Sequence, residues 1–186
     1  IYACGFTTGI MPGQATAGES DAFVVKLDAA GTQLWLRQFG TSDFDHAHAI
    51  RGTGTTVCVA GTTSSSLHGQ TSGAGDVFVR VYDTTGTVGW GAQFGSPGED
   101  RPLALAIGSS SVYVAGRTNS TLPGQIALGG EDAFIASYSL SGTQQWVRQF
   151  GGNYGDWASG VAVDASGVYV GGYTERGLPG HASLGA

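Results

Sequence analysis

Three stretches of this chain superimpose without a gap: residues 21–40 (DAFVVKLDAAGTQLWLRQFG), 76–95 (DVFVRVYDTTGTVGWGAQFG) and 132–151 (DAFIASYSLSGTQQWVRQFG), at offsets of 55 and 56 residues. A second block recurs four times with the same period, as residues 1–7 (IYACGFT), 57–63 (VCVAGTT), 112–118 (VYVAGRT) and 168–174 (VYVGGYT). A third echo follows each of these: Met11-Pro12-Gly13-Gln14, Leu67-His68-Gly69-Gln70, Leu122-Pro123-Gly124-Gln125 and Leu178-Pro179-Gly180-His181. Blocks that keep order and phase in this way are an internal repeat, which confines the chain to architectures built by stacking one supersecondary unit.

Each period holds four strand candidates, typified by residues 158–164, 168–174, 132–139 and 144–150. Between the third and fourth lie Ala30-Gly31-Thr32, Thr85-Gly86-Thr87 and Ser141-Gly142-Thr143, where Gly supplies the positive φ of a hairpin turn. Four short antiparallel strands per repeat make a β-propeller blade. A blade inside a propeller is covered on both faces, so its strands need apolar residues at both parities. The third strand meets that test: Phe23, Phe78 and Phe134 with Leu27, Tyr82 and Tyr138 occupy one parity, and Val24, Val79 and Ile135 the other. Trp35, Trp90 and Trp146 share one position of the fourth strand, with Phe39, Phe94 and Phe150 four residues on, and are expected to wedge between the outer parts of adjacent blades.

The fold class predicted is therefore all-β, a propeller of four-stranded antiparallel blades. Repeats run over 1–56, 57–111 and 112–167, with a partial fourth at 168–186, so that 1–186 forms one partial propeller of about three and a third blades. Propellers close with 4 to 8 blades. The remainder is expected from the same longer chain, and the opening on Ile1 within a strand reads as a processed or excised piece. Assembly of several copies is the alternative.

Composition agrees with many strands and tight turns: of 186 residues 33 are Gly, 41% are apolar and 12% are charged. The net charge of −6 offers no basic stripe to phosphates, which argues against nucleic acid and anionic membranes as partners. No apolar run approaches the roughly 20 residues that span a bilayer. Cys4 and Cys58 fall at non-equivalent positions of equivalent strands, so a disulfide between them is not expected.

An acid recurs five residues after each Phe-Gly, in the loop entering the innermost strand: Asp45, Asp100 and Asp156. Such loops gather on one propeller face near the channel, where a ring of carboxylates is a place for Ca²⁺. The plainer reading, which outweighs it, has each Asp bonding the backbone of its own turn. The residue after each acid varies, as His46, Arg101 and Trp157, which suits recognition specific to each blade and equally suits an unconstrained surface. Those six residues are the candidate ligand-binding set. His46 and His48 would project to one side of a strand, but no third ligand of matching type stands nearby, and no metal site is assigned. Asp21, Asp76 and Asp132 are expected to satisfy loop backbone donors, and the sequon Asn119-Ser120-Thr121 is expected to be idle. No nucleophile with base, no carboxylate pair set apart for acid–base work and no phosphate-cradling loop stands out, so no catalytic residue and no cofactor is assigned.

Gly129-Gly130-Glu131-Asp132-Ala133-Phe134, then Gly142 followed by Trp146, then Phe150-Gly151-Gly152, then 160–164 (GVAVD) and 168–174 (VYVGGYT) closely resemble the bacterial SBBP repeats of seven-bladed β-propellers. The resemblance covers essentially the whole chain and implies a secreted or cell-surface, multidomain protein, with no activity generally assigned to the repeat. The chain departs from the pattern at Cys58, in place of an aromatic, and at Arg51-Gly52-Thr53, in place of Ala-Val-Asp, so the second blade is expected to be looser near the channel. Residues 27–35 (LDAAGTQLW) also resemble the tryptophan docking motif of quinoproteins, but a hairpin Gly followed by a wedging Trp suits any propeller of this style and does not call for pyrroloquinoline quinone.

The function these readings favour is a non-enzymatic extracellular or cell-surface scaffold or binding module for a glycan, matrix or protein ligand. Two alternatives belong to other classes: a fragment or subunit of a propeller enzyme (lyase, hydrolase or quinoprotein), and a self-assembling component whose blades are completed by other chains.

Overall fold

The computed structural model describes residues 1–181; the last five residues of the partial fourth repeat lie outside it. The described residues form thirteen strands: β1 (Tyr2–Thr7), β2 (Asp21–Leu27), β3 (Gln33–Phe39), β4 (Asp45–Gly52), β5 (Thr56–Thr63), β6 (Asp76–Asp83), β7 (Val88–Phe94), β8 (Asp100–Ile107), β9 (Ser111–Thr118), β10 (Asp132–Ser139), β11 (Gln144–Phe150), β12 (Asp156–Val163) and β13 (Val168–Thr174). They make four antiparallel sheets, β1-β2-β3, β4-β5-β6-β7, β8-β9-β10-β11 and β12-β13. This is the all-β blade architecture expected. The hydrogen bonding starts each blade at the strand after Phe-Gly, so a sequence period counted from Ile1 straddles two sheets.

The core lies between sheets rather than within them, one hydrophobic cluster per junction. Ala22 and Val24 of the first sheet meet Val57, Val59, Phe78 and Tyr82 of the second. Val77, Val79 and Val81, the other parity of β6, turn to Val112, Val114, Phe134 and Tyr138 of the third. Ala133 and Ile135 then meet Ala158 and Val161 of the fourth. Both faces of a middle blade are thus apolar because both are buried.

The aromatic residues of β3 and β7 wedge against the third strand of the following sheet, while Trp146 of β11 lies 6.1 Å from Tyr113 of its own sheet. Phe39 lies edge-on to Phe78 with ring centroids 5.7 Å apart, and Phe94 to Phe134 at 5.6 Å. Trp35 reaches Tyr82 at 6.1 Å and Trp90 reaches Tyr138 at 5.9 Å. Each such ring buries a large apolar area, and paired rings add about 0.5–1.5 kcal/mol beyond that area.

The second blade is not looser at its inner end. The β4–β5 ladder continues to Gly52↔Val57, Cys58 is fully buried in the cluster facing the third sheet, and the ring of Tyr2 packs over Gly52. A small thiol fills the interior there, and the exposed Arg51 directs its Nε to the carbonyl of Leu105 in the next sheet at 3.4 Å. Cys4 and Cys58 are both free, and burial pushes the Cys4 thiol up to about 11.

Candidate functional site

Asp45, Asp100 and Asp156 are the first residues of β4, β8 and β12, and all three are buried. Each accepts at Oδ2 the backbone N–H four residues earlier: Thr41 at 2.5 Å, Ser96 at 2.5 Å and Gly152 at 2.6 Å. Each also donates its own N–H to the preceding blade, to the carbonyls of Ser20, Gly75 and Glu131. These acids therefore tie a turn to its neighbour and fix where the following side chain emerges.

A second acid faces each of them. Asp21, Asp76 and Asp132 accept the N–H groups of Ala17, Ser72 and Leu128 at 2.9–3.0 Å, the loop-satisfying role expected. Gly40, Gly95 and Gly151 separate the two carboxylates, and a Cβ at any of them would collide with both. Burial pushes the Asp100 carboxyl above its ordinary range, and the charge of Asp76 adds to the shift.

His46, Arg101 and Trp157, the second residues of these strands, lie at three successive junctions on one face. Three stations recur at each junction: this inner-strand residue, the sixth residue of the block on the preceding sheet's second strand, and the residue before the third-strand Asp. At the first junction they are His46, Phe6 and Ser20. Phe6 stacks on His46 with centroids 3.9 Å apart, and Ser20 Oγ lies 2.7 Å from His46 Nε2. At the third they are Trp157, Arg117 and Glu131. The guanidinium of Arg117 sits 5.3 Å from the Trp157 ring and pairs with Glu131, and Trp157 Nε1 donates to Glu131 Oε2 at 2.6 Å.

At the second junction the stations are Arg101, Thr62 and Gly75, which fill far less space. A cleft of about 320 Å³ opens there, with His46, His48 and Glu99 also on its walls. The guanidinium of Arg101 has no ion-pair partner among the described residues, and its Nε is buried without a hydrogen-bond partner. Burial, reinforced by the charge of Arg101 and then by His46, pulls the His48 imidazole down to about 4. His46 is also lowered, by burial first, with Asp45 opposing and Arg101 adding to the shift. Both rings are therefore neutral near pH 7.

His46 and His48, two apart on β4, project to one side with 6.3 Å between ring centroids, and the β4–β5 register shifts between Ala47 and Ala49. Among the described residues no group of three or more His, Cys, Asp or Glu side chains is placed to hold a metal ion. Asn119 of the sequon accepts the N–H of Glu99 at Oδ1, 2.7 Å away.

One set of residues went unread in the sequence although all three copies of the repeat contain it: Gln38, Gln93 and Gln149. Each donates to the third-strand Asp of its own blade (Asp21, Asp76 and Asp132, at 2.7–2.9 Å) and accepts the N–H of Met11, Leu67 or Leu122. They latch the long loops whose turns carry Pro-Gly or His-Gly. The signal was an invariant Gln in an exposed-looking alternation, which periodicity alone discounts.

The family model described as SBBP, a β-propeller repeat, matches residues 145–177, the span from β11 through β12 to β13 that crosses from one blade to the next. The chain is 34% identical over 177 residues to a protein of Caulobacter vibrioides named Regulatory protein FlaEY, covering 86% of this chain and 19% of that protein. The chain thus spans about a fifth of that relative's length. No helix among the described residues is long and apolar enough to cross a membrane.

Proposed function

For a chain that carries the SBBP-type β-propeller repeat, we propose a non-enzymatic binding module of a secreted or cell-surface bacterial protein, taking a glycan, matrix or protein ligand on the face where the inner strands begin. The observation that carries this reading is the contrast within each inner strand. The invariant acids Asp45, Asp100 and Asp156 are buried in their own turns, while the adjacent positions present His46, Arg101 and Trp157, three different chemistries on one rigid frame. A scaffold that fixes backbone and varies the exposed residue is how loops on a stable fold acquire specificity. The relative's name, a regulatory protein, accords with binding rather than turnover. No cofactor enters this reading.

Further propeller blades are a second partner. The face of β13 is largely exposed, including Tyr169 and Tyr173, whereas the equivalent residues of β5 and β9 are mostly buried by the next sheet. Blades of the same or another chain are the surface that matches it.

The test is binding of the labelled chain to isolated bacterial envelope and secreted polymer, with His46→Ala, Arg101→Gln and Trp157→Ala combined in one variant. At least a tenfold loss with an unchanged circular dichroism spectrum is expected. A folded variant that binds as well as the parent would remove this face from consideration.

A further inference from the structure

At the level of the three stations the second junction is open, where the first is filled by Phe6 and Ser20 against His46 and the third by Arg117 and Glu131 against Trp157. At the third junction the inner-strand residue, Trp157, donates to a carboxylate that the chain itself supplies from the loop station, Glu131. At the second, the inner-strand donor is Arg101 and the loop station is Gly75, which has no side chain. The acceptor is missing while the donor is kept, its guanidinium without an ion-pair partner among the described residues. Leaving such a group unsatisfied costs stability, more so for a charged group. Glu99 stands exposed on the same cleft and makes no ion pair with Arg101.

The rest of the wall has its own chemistry. Phe44, 51% exposed, offers a ring face, and Ser64 and the neutral His48 can each both donate and accept. A volume of about 320 Å³ stands at the low end of small-ligand sites, roughly 300–1,000 Å³. It suits a compact ring bearing several hydroxyls better than a length of peptide.

We propose that this cleft binds a uronate residue of an acidic glycan, its carboxylate in the place that Glu131 holds at the next junction and its ring against Phe44. The inference rests on the binding-face reading above and names the ligand class. Arg101 pairs with the carboxylate, as guanidinium forks do. The hydroxyls exchange bonds with Ser64 and His48.

The experiment is titration calorimetry with digalacturonate, its neutral counterpart galactobiose, a Glu-rich peptide and inorganic phosphate. It uses the parent chain, Arg101→Gln, Phe44→Ala and Gly75→Glu. The last restores an internal carboxylate; its Cβ would lie 3.0 Å from the Thr62 methyl, a contact a small side-chain shift relieves. Circular dichroism and the unfolding midpoint report folding of each variant. Digalacturonate is expected to bind the parent at least tenfold more tightly than galactobiose. Arg101→Gln and Gly75→Glu are each expected to lose at least tenfold while folded, and Phe44→Ala a smaller factor. Equal binding of the neutral sugar, retention by folded Arg101→Gln, equal competition by phosphate, or preference for the peptide would each overturn the assignment. If digalacturonate fails to bind but the chain still binds envelope material through His46, Arg101 and Trp157, this inference falls alone. If both fail, the binding face falls with it.

Discussion

Gly86 lies directly against the indole of Trp35: a Cβ on Gly86 would sit 2.9 Å from Trp35 Cδ2, and Trp35 Nε1 donates to the carbonyl of Thr84, two residues away in the same turn, at 3.1 Å. The relationship repeats one blade on, where a Cβ on Gly142 would meet Trp90 at 2.9 Å and Trp90 Nε1 reaches the Leu140 carbonyl at 2.9 Å. A hairpin glycine of one blade is thus the docking surface for the tryptophan of the preceding blade. The Gly-to-Trp spacing that resembles a quinoprotein motif has a mechanical cause in contacts between sheets.

Gly86 is therefore fixed twice, by φ of +83° and by the indole, whereas Gly31, at φ +86°, has nothing within 4 Å of its Cβ position. Gly31→Ala is expected to cost only the left-handed backbone term, about 1–2 kcal/mol. Gly86→Ala adds an overpacking cost of about 1–3 kcal/mol. Urea unfolding of the two variants checks this, and equal losses would show that the indole contact carries no weight.

Gln93 holds four groups at once: its Nε2 donates to Asp76 and to the Ser65 carbonyl, and its Oε1 accepts the N–H groups of Leu67 and His68. Gln93→Ala leaves these without their partner, at an expected cost of about 1–3 kcal/mol. Hydrogen exchange at Leu67 and His68 should quicken while the β6 amides stay protected. Unchanged exchange at both amides would mean the loop is held by something else.

The repeat made blades, strand order and inter-blade aromatics readable, because Phe78, Tyr82 and Val79 must satisfy two covered faces at once and only a few residue types do so. The hairpin turns were readable through Gly31, Gly86 and Gly142, whose positive φ leaves few alternatives. The six candidate residues could be placed on one face for the same reason. The open second junction could not be read. It depends on Thr62 and Gly75 both being small where Phe6 with Ser20, and Arg117 with Glu131, are not. These residues come from separate strands and loops, and only the register between sheets shows that they share a station. The looser second blade expected from Cys58 and Arg51-Gly52-Thr53 is not seen, because the Tyr2 ring packs over Gly52 and Cys58 sits in the cluster facing the third sheet.

Ca²⁺ is expected to leave the unfolding midpoint unchanged. At each Gly40-type position the two facing carboxylates use Oδ2 on backbone donors, and what remains is one buried Oδ1 from each, well short of the six to eight oxygens Ca²⁺ takes. Melting with millimolar CaCl₂ and with chelator checks this. A rise of several degrees with the ion would place it between Asp21 and Asp45 or their equivalents.

Acid should weaken the fold before the carboxylates titrate, and the sign follows from the histidines. His48 and His68 are held down to about 4, both by burial first, with Arg101 and His46 adding at His48 and Arg80 at His68. Between their ordinary 6.5 and about 4 the unfolded chain takes up protons that the folded chain refuses, so stability is lost as pH falls through that window. Asp100, raised by burial, works the other way just above its ordinary 3.8, where the folded form keeps a proton the unfolded form has released. The urea midpoint should therefore fall from pH 7 to pH 5. In Arg101→Gln the His48 pKa should rise from about 4 yet stay below 6.5, because burial, its largest cause, remains. Histidine Cε1 shifts followed by NMR separate the two causes: an unmoved His48 would show that Arg101 does not face it, and a return to 6.5 that burial does not hold it.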